Sequence, residues 1–165
     1  MSAEPLAPPA PHVVVGVDGS EPSRQALRWA RVLAAPTAST VEAVMAWTLH
    51  TEWGVMSAGM DGIVPTTDPE ADAKEVLIAT VHEVFGDDRP AGMCLSVREG
   101  HPAEVLIEAS RSALLLVVGS RGHGGFAGLL LGSVSAACTA HASCPVVVLH
   151  GDTPPPQVPS KDEHQ

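Results

Sequence analysis

Basic residues are scarce in this chain: nine Lys and Arg stand against 19 Asp and Glu, giving a formal charge of −10 and a pI near 5.1. Nucleic acid and anionic membrane surfaces would repel such a chain, so neither is expected as a partner. Any phosphate it binds must be held locally, by backbone amides and helix ends. Cysteine is sparse too. Cys94, Cys138 and Cys144 form no CxxC pair and leave one thiol unmatched in any pairing, which points to reduced, intracellular thiols. Cys138, His141, Cys144 and His150 lack the second pair that accompanies a zinc knuckle, so no metal site is expected among them. The opening MSAEPLAPPAP has neither the charged nor the apolar region of a signal peptide. No apolar run approaches the ~18 residues of a membrane span, and a cytoplasmic location is the expectation.

The chain does have a hydrophobic content of 45% in 165 residues, enough for one domain with its own core. Residues 1–11, rich in Pro and Ala, and residues 151–165, with four prolines and no apolar run, read as unstructured tails. Between them, apolar runs alternate with segments of helical period. Strands are expected over 12–18, 40–47, 93–99, 113–119 and 145–150. Helices are expected from an N-cap at Ser20 to about Ala34, and over 69–85, 102–112 and 133–142. Continuous apolar strands alternating with helices predict an α/β fold: an open, doubly wound, five-stranded parallel sheet with helices on both faces, Rossmann-like, in a single domain. Residues 48–68 form the one long connection, of a length that usually marks a lid or a disordered segment.

Ligands of open α/β sheets sit outside the carboxyl ends of the strands, where the strand order reverses. Strands one and four end at Asp18 and Gly119 and, if adjacent, would turn Asp18 and the glycine-rich stretch 119–133, GSRGHGGFAGLLLGS, toward one crevice. Glycines admit close backbone approach, and a helix starting at Ser133 would aim free N–H groups at the same place. That stretch has no lysine, which excludes a P-loop. Gly122 to Ala127 matches GxGxxA by chance: it follows the fourth strand, opens no helix directly and has no acidic partner about 20 positions on. From the residues alone, an anion cradle and a long flexible βα connection both stand.

The spacing Gly119-x2-Gly122-x9-Gly132-Ser133 resembles the G-2x-G-9x-G-[S/T] pattern of the ATP-binding class of universal stress proteins. The likeness extends over most of 12–150, through VVVGVDGSEPSRQALRWA, REGHPAEVLIEAS and the closing CPVVVL. Ala113 stands where an acidic residue is often found, and 48–68 has no dependable counterpart. The resemblance implies an adenine nucleotide alpha hydrolase-like fold whose loop wraps a triphosphate. Gly119, Gly122, Gly132 and Ser133 would contact phosphates, with Val134 beside them, and Arg121 would reach one. Asp18 would approach the adenosine end, and the backbone around Ala46 would line the purine. Asp18 as a helix cap and Ala46 as plain core remain the alternatives; His123 is expected to point to solvent.

Rapid phosphoryl transfer needs a metal, charge neutralisation and a group that orients the nucleophile, and the stretch supplies little of that. The expectation is therefore an ATP-binding stress or regulatory protein, with Mg²⁺ held through the phosphates. The alternatives are a slow ATPase or phosphotransferase, or a binder of another adenine nucleotide such as cyclic AMP. In the strand order that the resemblance implies, strand 145–150 lies at the sheet edge with no charge to protect it, so a homodimer through it is expected, as the resemblance also suggests.

Overall fold

Val13, Val14 and Val15 are wholly buried, and their side chains alternate between two separate cores. This is the mark of a strand covered on both faces. The computed structural model describes residues 10–49, 68–122, 128 and 130–156. In chain order the elements are β1 (His12–Gly16), α1 (Glu21–Ala34), β2 (Thr40–Trp47), α2 (Pro69–Phe85), β3 (Cys94–Glu99), α3 (Pro102–Ala109), β4 (Leu115–Gly119), α4 (Ser133–His141) and β5 (Val146–Leu149). A short 3₁₀ turn, Ala35–Thr37, follows α1.

All four strand pairings are parallel, in the order β3-β2-β1-β4-β5. Val13 and Val15 join Ala26, Leu27 and Ala30 of α1 and Leu77, Val81 and Phe85 of α2. Val14 joins Val105, Leu106 and Ala109 of α3 and Cys138 of α4 on the opposite face. The doubly wound five-stranded α/β sheet read from the sequence is therefore the observed fold, and the order reverses between β1 and β4.

The first two helices are closed at their starts by side chains. The Ser20 hydroxyl accepts from the Ser23 amide ahead of α1, and Asp68 accepts from the amides of Glu70 and Ala71 ahead of α2. Element limits differ from expectation by a few residues. Ladder pairing in β1 stops at Gly16, although the Val17 amide still donates to Val44 O at 2.9 Å. The third helix ends at Ala109, short of the expected 112, because Ser110 turns its hydroxyl back to Ile107 O and accepts the Ser143 amide. Ala142 adopts an extended backbone and ends α4 at His141.

Residues 151–156, grouped at the sequence level with an unstructured tail, run along α1. The Trp29 indole donates to Thr153 O at 2.8 Å, and Pro155 and Pro156 lie beside Arg28 and Phe85. Most of the N-terminal segment 1–11 and of the 48–68 connection lies outside the described residues, as do His123 to Ala127, Leu129 and 157–165.

Candidate functional site

At the switch between β1 and β4 the sheet opens into a cavity of about 500 Å³. Among its walls are all eight residues singled out from the sequence: Asp18, Ala46, Gly119, Arg121, Gly122, Gly132, Ser133 and Val134. Four separate parts of the chain supply them. Asp18 follows β1, Ala46 lies near the end of β2, Gly119 closes β4, and Ser133 and Val134 open α4.

Asp18 has a structural task as well as a place in the wall. Its Oδ1 accepts from the Ser20 amide at 2.9 Å and from the Ser20 hydroxyl, while that hydroxyl accepts from Ser23. The carboxylate thus holds the residue that caps α1, so the cap reading and the cavity reading both describe it. Ala46 is half-buried on the strand face it shares with Val44, toward α3.

The glycine-rich loop is pinned at its neck. Gly132 N donates to Ser120 O at 2.7 Å, the buried Ser135 hydroxyl donates to the same oxygen at 2.9 Å, and Ser120 N reaches Leu149 O at 2.8 Å. The three motif glycines then differ in whether the surrounding protein requires them to lack a side chain. A Cβ on Gly119 would fall 2.6 Å from Pro22 Cβ, in the first turn of α1. One on Gly122 would run into Asp18 Oδ2. At Gly132 a Cβ would meet nothing nearer than 3.5 Å, and its φ of −70° suits any residue. Nothing among the described residues requires glycine there.

Gly132 is also the N-cap of α4 and offers no side chain to close it. The first-turn amides and the positive end of the helix dipole therefore open at Ser133 and Val134, beside the loop neck. Among the described residues, Asp18 and Arg121 are the only charged groups lining the cavity, and Arg121 is exposed. An anion here meets mostly backbone donors. No group of three or more His, Cys, Asp and Glu among the described residues has the arrangement to hold a metal ion. Burial pushes the Cys138 thiol up to about 11 and also raises that of Cys144, against backbone hydrogen bonds that lower it.

Sequence reasoning missed part of the apolar wall. Pro102 and Leu106 of α3 line it together with Val44, Val118 and Leu131. The sequence places Leu106 in a helix over 102–112, but only the strand order brings that helix beside the crevice.

The switch-point cavity, loop neck and uncapped helix define an open α/β protein with a crevice over its strand ends. Residues 10–150 match the universal stress protein family, and the chain belongs to it. A universal stress protein of Mycolicibacterium smegmatis is 34% identical over 146 residues, covering 85% of this chain and 48% of its own. The chain thus spans about half the length of that relative. Among solved structures, the universal stress protein UspA from Lactobacillus plantarum superposes with a TM-score of 0.65 at 21% identity, covering 86% of this chain and 98% of its own. A universal stress protein solved in complex with cAMP gives 0.63 at 25% identity, with 86% and 97% covered.

Proposed function

We propose that the chain binds ATP in the switch-point cavity and acts in the cytoplasm as a nucleotide-dependent stress or regulatory protein. The observation that carries this reading is Gly132. Its missing side chain has no reason within the described protein, yet it sits at the open end of α4, where a phosphate would come against the backbone. Gly119, Gly122, Ser133, Val134 and Arg121 would surround the phosphates, and Asp18 and Ala46 the adenosine end. Mg²⁺ fits this arrangement as an ion carried by the phosphates, because the described residues offer no cage of their own. Occupancy would change the protein's shape or partners, and a second copy of the chain would pair along β5, an edge strand of the sheet.

A relative holding cAMP favours one second reading, a site for a monophosphate or cyclic nucleotide. Titration calorimetry with ATP, ADP, AMP and cAMP separates the two. ATP binding tightest supports the triphosphate cradle, while cAMP or AMP binding tightest replaces it. A slow ATPase or phosphotransferase is the enzyme alternative, and phosphate release faster than about 1 s⁻¹, near the low end of ordinary enzymes, would overturn the binder reading altogether.

A further inference from the structure

Arg24, on α1, lies outside the cavity wall, yet it connects that wall to α2, the adjacent helix of its own layer. Its Nη1 donates to Gly19 O at 2.7 Å. Its Nε and Nη2 reach Glu83 Oε2 of α2 at 2.8 and 2.7 Å. The Arg24 side chain is 25% exposed and that of Glu83 55%, so the Gly19 contact is the shielded arm of this fork and the Glu83 pair lies at the surface. Gly19 sits between Asp18 and the cap residue Ser20 with a φ of 81°, a left-handed conformation that glycine adopts without strain. The carbonyl that Arg24 grips therefore belongs to the turn that presents the Asp18 carboxylate to the cavity.

We propose that Arg24 is a positioning residue for the ligand site: through the Gly19 carbonyl it fixes the β1–α1 turn that aims Asp18, and through Glu83 it ties that turn to α2. The guanidinium is suited to this because one planar fork serves a carbonyl and a carboxylate together, which a lysine ammonium cannot do at the same two places. The inference rests on the reading that an adenine nucleotide occupies the cavity. Linkage makes it reciprocal: whatever shifts Glu83 shifts affinity, and ligand binding steadies the Arg24–Glu83 pair.

The test is a double-mutant cycle on the full chain, read by calorimetry with ATP. Arg24→Gln and Arg24→Lys are each expected to weaken binding about five- to tenfold in the parent and less than about twofold in an Asp18→Ala background. Equal losses in both backgrounds, or no loss in the parent, would overturn the proposal. Should the Arg24 variants fail to fold, Glu83→Gln at the exposed end of the pair takes their place with a smaller loss of the same pattern. A ligand-free readout keeps this inference apart from the nucleotide reading. In Glu83→Gln the Ser20 amide should exchange with deuterium faster while the Val14 amide keeps its protection. If the parent binds no ATP and this exchange pattern holds, the strut stands and the nucleotide reading falls; unchanged Ser20 exchange removes the strut.

Discussion

The Asp18 carboxylate occupies the space that a side chain on Gly122 would need. Two residues far apart in sequence therefore constrain each other, and the turn after β1 is seated directly against a glycine of the loop that follows β4. A substitution at Gly122 acts first on Asp18 and only through it on a ligand, so it is a poor probe of the cradle.

Gly132→Ala is the cleaner probe. Its Cβ would find ordinary contact distances, so unfolding stability should stay within about 1 kcal/mol of the parent. ATP affinity should nonetheless fall by about tenfold or more, a hydrogen bond's worth, because the methyl enters the ligand's space. Calorimetry showing parental affinity would remove the cradle assignment.

Gly119→Ala should do the reverse. Its Cβ would be driven onto Pro22, 2.6 Å from the side chain and 3.0 Å from the carbonyl carbon, and backbone yields poorly. Urea unfolding should record a loss on the order of 2 kcal/mol, typical of overpacking. Loss of binding without loss of stability would show that Gly119 serves the ligand rather than the α1–β4 packing.

At Asp18, the two roles come apart by chemistry. Asn keeps an oxygen for the Ser20 amide and hydroxyl, so Asp18→Asn should hold the α1 cap while affinity drops by about 1–3 kcal/mol from the lost charge. Asp18→Ala should lose both, adding roughly 1 kcal/mol of instability from the weakened cap. Calorimetry and thermal unfolding, run on both variants, check the division.

Pairing along β5 is best probed through the backbone. Val147 packs toward α1 and Val148 toward α4, so a lysine at either would disturb the monomer's core as well as any partner. Pro145 O and Leu149 O both accept from β4, and by alternation the Val148 amide points away from it. Val148→Pro should remove an outward donor, keep the fold and shift the assembly toward monomer in light scattering. A parent that is monomeric at tens of micromolar would end the dimer proposal.

The Cys138 thiol gives a pH signature. Its ordinary value of 9.0 is raised to about 11 by burial, so the unfolded chain gives up this proton first. The thiol's contribution is fully present below pH 9 and declines as pH climbs from there through 11. Cys138→Ala should flatten that part of the alkaline stability profile, and a thiol reagent at neutral pH should find exposed Cys94 ahead of buried Cys138.

How far the sequence reaches can be judged at single residues. The 40–47 and 69–85 limits were legible because Thr40–Trp47 is a mostly apolar run and Leu77, Val81 and Phe85 recur at helical spacing after Pro69. The cavity's polar half was legible for a similar reason: glycine spacing and a strand-end aspartate lie close in sequence to the turns they build. Its apolar half was not, since Leu106 and Leu131 become neighbours of Val44 only through the strand order. The course of 151–156 was also hidden. Three prolines argue against a strand, but they do not prevent a carbonyl from meeting the Trp29 indole, which lies 124 positions away in the chain.

The helix starts divide the molecule into unlike halves. In the layer of α1 and α2 both are closed by the chain's own side chains, while α3 and α4 begin without a side-chain cap and both border the cavity. One half is thus chemically finished when folding ends, and the other leaves its helix starts open. With the proposed nucleotide bound there, the thermal midpoint would be a property of the surroundings as much as of the sequence, rising with the concentration of the captured anion. The fold would then work as a gauge of that anion, with its scale set by the layer left open.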